Sequence, residues 1–246
     1  MIDFGIIAAG DGNRIKEEGS LLPKPLVEIE NQPMIARLIS LMEECGAKSV
    51  CIIVNSDMPE VWEFLQGLVP TVSCNLKLLS KKTPSSMHSF YELLNIMKPE
   101  DKFIITTVDT IFKSEDFKKY ALYFQDAPKE IDGVMGVTSY IDDEKPLYVR
   151  TNSKKTIISY LDSPLDNDLN TPIDIQYVSA GIYGLRSSAI PVLQSCINEG
   201  INRMRNFQRK LVEEGLNLKA FDLGKVLDVD HLSDISKANS FLTSKP

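Results

Sequence analysis

The stretch Phe4-Gly5-Ile6-Ile7-Ala8-Ala9-Gly10-Asp11-Gly12-Asn13-Arg14 decides the fold. Its apolar run, Phe4 to Ala9, ends at Gly10 with no alternation of polar positions, as expected of a strand buried on both faces in a parallel sheet. A glycine-containing loop follows, and two cations, Arg14 and Lys24, lie just downstream. Glycines let backbone N–H groups approach an anion closely. Arg14 can fork onto phosphate oxygens, and Lys24, inside Pro23-Lys24-Pro25-Leu26, adds a point charge. The spacing predicts a phosphate cradle. A tight turn with solvated cations is the plainer alternative, and Arg14 together with the Pro-Lys-Pro element argues against it.

Other phosphate loops fit worse. A dinucleotide G-x-G-x-x-G needs glycine where Ile15 stands. A P-loop counted from Gly5 and Gly10 meets Asp11 where lysine is required.

Outward from this loop, strand-like and helix-like segments alternate. A helical stripe over 33–46 runs from Pro33 to Gly46. Strands are predicted at Val50 to Val54, Cys74 to Leu79 and Phe103 to Val108, with helices over 58–68 and 86–97 and one from Ser114, a plausible N-cap, towards Phe124. The second half is richer in strands: Gly133 to Tyr140, Leu147 to Arg150, Ile157 to Leu161, Val178 to Leu185, Leu218 to Phe221 and Lys225 to Leu227. Helices are expected at 187–198, 203–214 and from Leu232. The stretch 162–174, rich in Asp, Asn and Pro, reads as a loop. The alternation predicts a three-layer α/β/α fold on a mixed, mostly parallel sheet. One domain over 1–246 is the simplest account, with a first half at about 1–125 that carries the phosphate cradle and a second half at about 126–246.

The chain has 246 residues, enough for a core without disulfides, and a formal net charge of −7. It has no long basic run, so nucleic acid and anionic membranes are not expected partners. Cys45, Cys51, Cys74 and Cys196 show no C-x-x-C spacing and read as small hydrophobes in a reducing compartment. With only His88 and His231 beside them, a zinc site is not expected. The first apolar run lacks a cationic region before it, so it reads as a strand and not a signal peptide. No apolar stretch reaches membrane-spanning length. The expected location is cytoplasmic. Whether the chain works as a homo-oligomer is open at this point.

Two carboxylates suit a metal. Phe103 to Val108 is an apolar strand that stops at Asp109, on the sheet edge where open α/β proteins bind ligands. Val226-Leu227-Asp228-Val229-Asp230 repeats the arrangement late in the chain. Mg²⁺ takes few protein oxygens and completes its shell with water and substrate phosphate. Helix caps or turn residues are the alternative for Asp109 and Asp230.

The stretch Ile7-Ala8-Ala9-Gly10-Asp11-Gly12-Asn13-Arg14 resembles the (L/I)-A-A-G-x-G-(S/T)-R signature of sugar-phosphate nucleotidyltransferases, the NDP-sugar pyrophosphorylases. Pro23-Lys24-Pro25-Leu26 with Pro33-Met34 is similar to that family's next elements, and Asn13 departs from its Ser or Thr. The resemblance runs from about residue 4 to residue 240. It implies a Rossmann-like, glycosyltransferase-A-like fold, NTP held by Ala8, Ala9, Gly10, Gly12 and Asn13, Arg14 on the triphosphate and Lys24 on the transferring phosphate. It makes Asp109 one Mg²⁺ ligand, although Val108 replaces the usual glycine, and Asp228 the other. Asp230 and Asp234 then read as caps near a helix start, and His231 has no catalytic role.

Thr83-Pro84-Ser85-Ser86-Met87-His88-Ser89 resembles the nucleobase loop G-T-A-x-A, with Ser85 and Ser86 in place of Gly-Thr. A serine-rich version also resembles choline-phosphate cytidylyltransferases. Ile158-Ser159-Tyr160-Leu161-Asp162-Ser163-Pro164 is similar to the sugar-binding (I/V)-x-x-(F/Y)-x-E-K-P, which assigns Asp162 to the acceptor and leaves Ser163 where the family has a phosphate-contacting lysine. Ser179-Ala180-Gly181-Ile182-Tyr183 resembles N-x-G-(I/L)-Y, which puts Gly181 against the acceptor; a strand bulge is the other reading of Gly181.

The implied reaction is NTP plus sugar 1-phosphate giving NDP-sugar and pyrophosphate, with Mg²⁺ as cofactor. Three alternatives stand beside it: a choline-phosphate-type cytidylyltransferase, a glycosyltransferase using Asp228-Val229-Asp230, and a nucleotide-sugar-binding regulator without catalysis.

Overall fold

The structure is a computed structural model and describes residues 2–142, 144–164 and 177–244; most of the predicted loop 162–174 lies outside them. In chain order the elements are β1 (Asp3–Ala8), α1 (Asn13–Glu17), a 3₁₀ turn (Lys24–Leu26), β2 (Glu28–Ile29), β3 (Gln32–Pro33), α2 (Met34–Glu44), β4 (Ser49–Val54), α3 (Pro59–Leu68), β5 (Asn75–Ser80), α4 (Ser86–Met97), β6 (Lys102–Thr107), β7 (Thr110–Ile111) and α5 (Ser114–Asp126). Then come β8 (Gly133–Thr138), β9 (Tyr148–Thr151), β10 (Ile157–Leu161), β11 (Tyr177–Arg186), α6 (Ala189–Asn198), α7 (Met204–Glu213), β12 (Leu218–Asp222), β13 (Leu227–Asp228) and α8 (Leu232–Thr243).

One sheet runs β10-β9-β11-β6-β1-β4-β5, with β8 alongside β11 and β12 alongside β8. Strands β5, β4, β1 and β6 are parallel. Beyond β6 the direction changes: β11 is antiparallel to β6 and to β8. The sheet is therefore mixed, with a parallel N-terminal block, as the alternating first half predicts.

Both faces of the sheet are covered, and the pleat sorts β1 between them. Phe4, Ile6 and Ala8 pack with Met34, Ile35 and Leu38 of α2 and with Phe117 and Tyr120 of α5. Ile7 and Ala9 pack with Phe90 and Leu93 of α4 and, further along, Leu193 and Phe207 of α6 and α7. Every side chain of the run finds apolar company, which is why no polar alternation appears in the sequence.

One expectation changes at the local level, and one turn adds to the predicted elements. Ser114 is the first residue of α5, and Lys113 holds the cap position with no side-chain cap bond. The hairpin β2–β3 turns through Glu30 and Asn31, both at positive φ, 53° and 62°, the conformation a two-residue hairpin needs.

This topology positions the site. β1 lies between β4 and β6, so the loop after Ala8 and the residues after Thr107 leave the sheet side by side. The Val108 N–H donates to the Ile7 carbonyl at 3.0 Å and locks the two strand ends together.

Candidate active site

The loop after β1 turns at Gly12, whose φ of 60° is left-handed and which caps α1. A Cβ there would lie 3.0 Å from the Lys24 Cβ, so glycine also allows Lys24 to cross close behind the loop. Asn55, at the end of β4, donates from Nδ2 to Asp11 Oδ1 at 2.9 Å and braces the loop from the other side. A cavity of about 240 Å³ opens over it. Ala8, Ala9, Gly10 and Gly12 line this cavity together with Lys24, Asp109, Ser85 and Ser86. Asn13, by contrast, is exposed at the start of α1 and is not among the lining residues.

Ser85 precedes α4 without a side-chain cap bond. Its hydroxyl instead meets His88 Nδ1 at 2.9 Å, while Thr83 Oγ1 meets Ser89 Oγ at 2.6 Å. These bonds hold the 83–89 loop in shape beside the cavity.

The charged centre of the site is a cluster of four side chains. Lys24 Nζ donates to Asp109 Oδ2 at 2.5 Å and to Asp230 Oδ1 at 2.6 Å. Arg14 donates to the other oxygen of Asp230 at 2.7 Å. Lys24 is only 11 % exposed. Burial alone would depress its ammonium, but the two carboxylates outweigh burial and hold its pKa above the ordinary lysine value. Burial likewise opposes the charge on Asp109, and Lys24 with the Thr107 hydroxyl prevails, holding that carboxyl below its usual range. The cation and the carboxylates thus keep each other ionised.

Here Asp230 departs from the cap role expected of it. The capping carboxylate is Asp234, which accepts the Asp230 and His231 N–H groups at 3.2 and 2.9 Å. Asp230 is thereby released to face Lys24 and Arg14. Asp228 lies opposite Thr110 in the short β13–β7 pairing, and its Oδ1 accepts from Thr110 Oγ1 at 3.3 Å. The Val229 N–H donates to the Asp109 carbonyl at 3.1 Å, so both late aspartates flank Asp109.

A second cavity, about 210 Å³, adjoins the cluster from the other side. Arg14, Asp228 and Asp230 line it together with Ser179, Ala180, Tyr140 and His231. Gly181 lies just behind Ala180 in a strand irregularity between Ser179 and Tyr183, at φ 68°. A Cβ at Gly181 would stand 2.8 Å from the hydroxyls of both Thr107 and Thr110, which themselves meet at 2.7 Å. Its glycine therefore serves the threonine pair beneath the aspartates. Asp162 lines neither cavity. Its two oxygens are paired with Arg205 at 2.5 Å and Arg209 at 2.7 Å on α7, pairs that the acceptor contact implied by the resemblance would have to share or displace.

Among the described residues no three His, Cys, Asp or Glu side chains gather as a metal cage. The donor set is smaller: Asp109 and Asp230 share one cation, the Lys24 ammonium, and Asp228 adjoins them. That suits Mg²⁺, which is commonly bound by one or two carboxylates plus substrate phosphates and water.

Sequence reasoning missed Asp230 and the contacts of Glu18. Glu18 Oε1 lies 2.5 Å from His231 Nδ1, and Oε2 accepts the Leu232 N–H at 2.7 Å. No local pattern signals a pairing across the whole chain.

Residues 5–245 match the model of the nucleotidyl transferase family. Among curated proteins, the chain is 21% identical over 252 residues to the bifunctional protein GlmU of Methanococcus vannielii, covering 98% of this chain and 55% of that one. It is 25% identical over 200 residues to a mannose-1-phosphate guanyltransferase of Debaryomyces hansenii, covering 77% of this chain and 51% of the relative. The chain thus spans about half the length of these two relatives. A choline-phosphate cytidylyltransferase of Streptococcus pneumoniae is 25% identical over 186 residues, 71% of this chain and 76% of the relative. Among solved structures, the inositol-1-phosphate CTP transferase of T. maritima superposes with a TM-score of 0.75 at 18% identity, covering 99% of this chain and 98% of that one. A nucleoside-diphosphate-sugar pyrophosphorylase of Vibrio cholerae RC9 gives a TM-score of 0.70 at 14% identity, covering 96% and 99%. These two likenesses bear on the fold. No helix among the described residues is long and apolar enough to cross a membrane.

Proposed function

The chain belongs to the nucleotidyl transferase family, and on that footing we propose that it moves a nucleoside monophosphate from an NTP onto a phosphorylated small molecule, foremost a sugar 1-phosphate, and releases pyrophosphate. The observation that carries this reading is the charged cluster between two cavities. The cavity over the phosphate loop takes the NTP, with its base against Ser85 and Ser86. The cavity beside Ser179 and Ala180 takes the acceptor. Lys24 and Arg14 stand where the two would meet.

The chemistry asks for little covalent help from the protein. The acceptor phosphate is an oxyanion at neutral pH, so no general base is needed. Its oxygen attacks the α-phosphorus in line, the bond to the β-phosphate oxygen breaks, and pyrophosphate leaves with that electron pair. The protein positions the two substrates and neutralises charge. An entering triphosphate offers Lys24 and Arg14 phosphate oxygens in exchange for carboxylates, so neither cation is stranded. The carboxylates of Asp109 with Asp228 or Asp230 would then hold Mg²⁺, which supplies further neutralisation of phosphate charge.

A second reading, transfer to a phosphorylated amino alcohol such as choline phosphate, is favoured by one observation. The acceptor cavity carries Asp142, Glu144, Asp228, Asp230 and Asp234 against Arg14, His231 and Lys237, and Ser163 stands where a phosphate-binding lysine is expected. A panel of four NTPs against sugar 1-phosphates and phosphocholine, read by pyrophosphate release, separates the two. NTP binding with no pyrophosphate from any pair would instead indicate a binding protein without catalysis, and release of nucleoside diphosphate a glycosyltransferase.

A further inference from the structure

Helix α1 carries Arg14, yet it is a single turn long and flanked by Gly12 and Gly19, both at positive φ. A helix this short has no stability of its own. Its place is set by what it touches. Ile15 is its one buried residue, and the chain from Lys16 to Gly19 is exposed, as are Leu21 and Leu22 after it. Arg14 and Glu18 are four residues apart and so project from the same side of the turn. Both reach the start of α8: Arg14 to Asp230, and Glu18 to the His231 imidazole and the Leu232 N–H. The Leu232 N–H is one of the donors that the first turn of a helix leaves without an internal partner, and a carboxylate is favoured there.

These contacts answer different needs once an NTP arrives. An Arg14 that turns its guanidinium from Asp230 onto phosphate gives up one of the two side-chain tethers of α1 to the start of α8 among the described residues. We propose that Glu18 is a positioning residue: it staples α1 to the start of α8 through His231 and Leu232, so that Arg14 can exchange Asp230 for the triphosphate while the phosphate loop stays in place. Glu18 does not line either cavity at the cluster, so it acts through Arg14 and the loop and not on substrate. The proposal rests on the nucleotidyl-transfer reading and says which residue outside the motifs that reading also requires.

The test is NTP binding to the full chain by titration calorimetry with Mg²⁺ and no acceptor, followed by steady-state kinetics. Glu18→Ala is expected to weaken NTP binding about tenfold, with the acceptor KM unchanged and kcat within threefold. Glu18→Gln keeps an oxygen for the Leu232 N–H and an amide for His231, and is expected to recover most of that loss. Glu18→Asp, one methylene shorter with the same charge, draws back from both partners; at least threefold weaker NTP binding is expected from it, and it decides the matter should the alanine variant not fold. Parent-like NTP affinity in Glu18→Ala and Glu18→Asp overturns the staple while leaving the nucleotidyl-transfer reading intact. Equal losses for NTP and acceptor in a folded variant also overturn it, since that marks either general destabilisation or an effect carried by His231, which lines the acceptor cavity. A parent protein that binds none of the four NTPs overturns the nucleotidyl-transfer reading, and the staple with it.

Discussion

Lys24 and Asp230, 206 residues apart in the chain, meet at 2.6 Å. The same ammonium holds Asp109 at 2.5 Å, so one buried cation ties the end of β6 to the approach to α8 directly beneath the phosphate loop. In the free protein this neutralises Lys24. In the proposed reaction it means that substrate entry is an exchange of partners among charges already assembled, which limits the cost of bringing them out of water.

Lys24→Ala and Asp109→Asn are expected to lower kcat at least a hundredfold, the scale on which removing one fixed stabilising charge acts at about 10²–10³. Circular dichroism should show both variants folded. Near-normal pyrophosphate release by either one would remove that residue from the mechanism.

The late aspartates can be told apart. Asp230 shares the Lys24 cation with Asp109, whereas Asp228 faces Thr110. Asp230→Asn is expected to weaken Mn²⁺ binding, followed by electron paramagnetic resonance in the presence of NTP, more than Asp228→Asn does. The opposite order would return the second ligand role, beside Asp109, to Asp228, as the sequence resemblance implies.

Gly181→Ala is a stability test. The φ of 68° disfavours any side chain there, and the new Cβ would press on two threonine hydroxyls at 2.8 Å. A loss of about 2–4 kcal/mol is expected from backbone strain and overpacking together. Urea unfolding measures it, and a midpoint equal to that of the parent would show that the strand irregularity relaxes freely.

Asp162 supplies a pH test. Hydrogen bonds from Arg209 and Arg205, with their charges, hold its carboxyl below the usual range against the opposing effect of burial. A depressed folded-state pKa adds stability above the unfolded value of about 3.9, and that stability is lost as pH falls through the lower folded value. Asp162→Asn should therefore melt slightly below the parent at pH 7, and the gap should close in acid below about pH 4. The carboxylate is 55% exposed, so solvent keeps the effect small. A gap that persists unchanged in strong acid would show that the ion pairs are not its cause.

How much of this was legible in the sequence depends on how far apart the partners lie. The loop that lines the first cavity was legible because Gly10 and Gly12 directly follow a run whose apolar character marks a buried strand. Asp109 was legible because β6 stops at it. Asp230 was not. Asp228-Val229-Asp230 offers two carboxylates that would share a face in an extended strand, but β13 ends at Asp228, and the direction of Asp230 is set by the turn into α8 that Asp234 caps. The contacts of Glu18 span 213 and 214 residues and leave no local mark. Asp162 sits in a motif-like position, yet its partners Arg205 and Arg209 are one turn apart on α7, and only the packing of α7 against β10 reveals that they claim it. The Glu30-Asn31 turn was missed because glutamate is an unusual choice at positive φ.

The most direct measurement of nucleotidyl transfer follows the α-phosphorus. The protein is incubated with NTP radiolabelled at the α position, Mg²⁺ and the acceptor that gives most pyrophosphate, and the products are separated. Transfer of the nucleoside monophosphate places the label in one new compound that also contains the acceptor, in amounts equal to the pyrophosphate released. Label recovered only in unchanged NTP, free NMP or nucleoside diphosphate contradicts it.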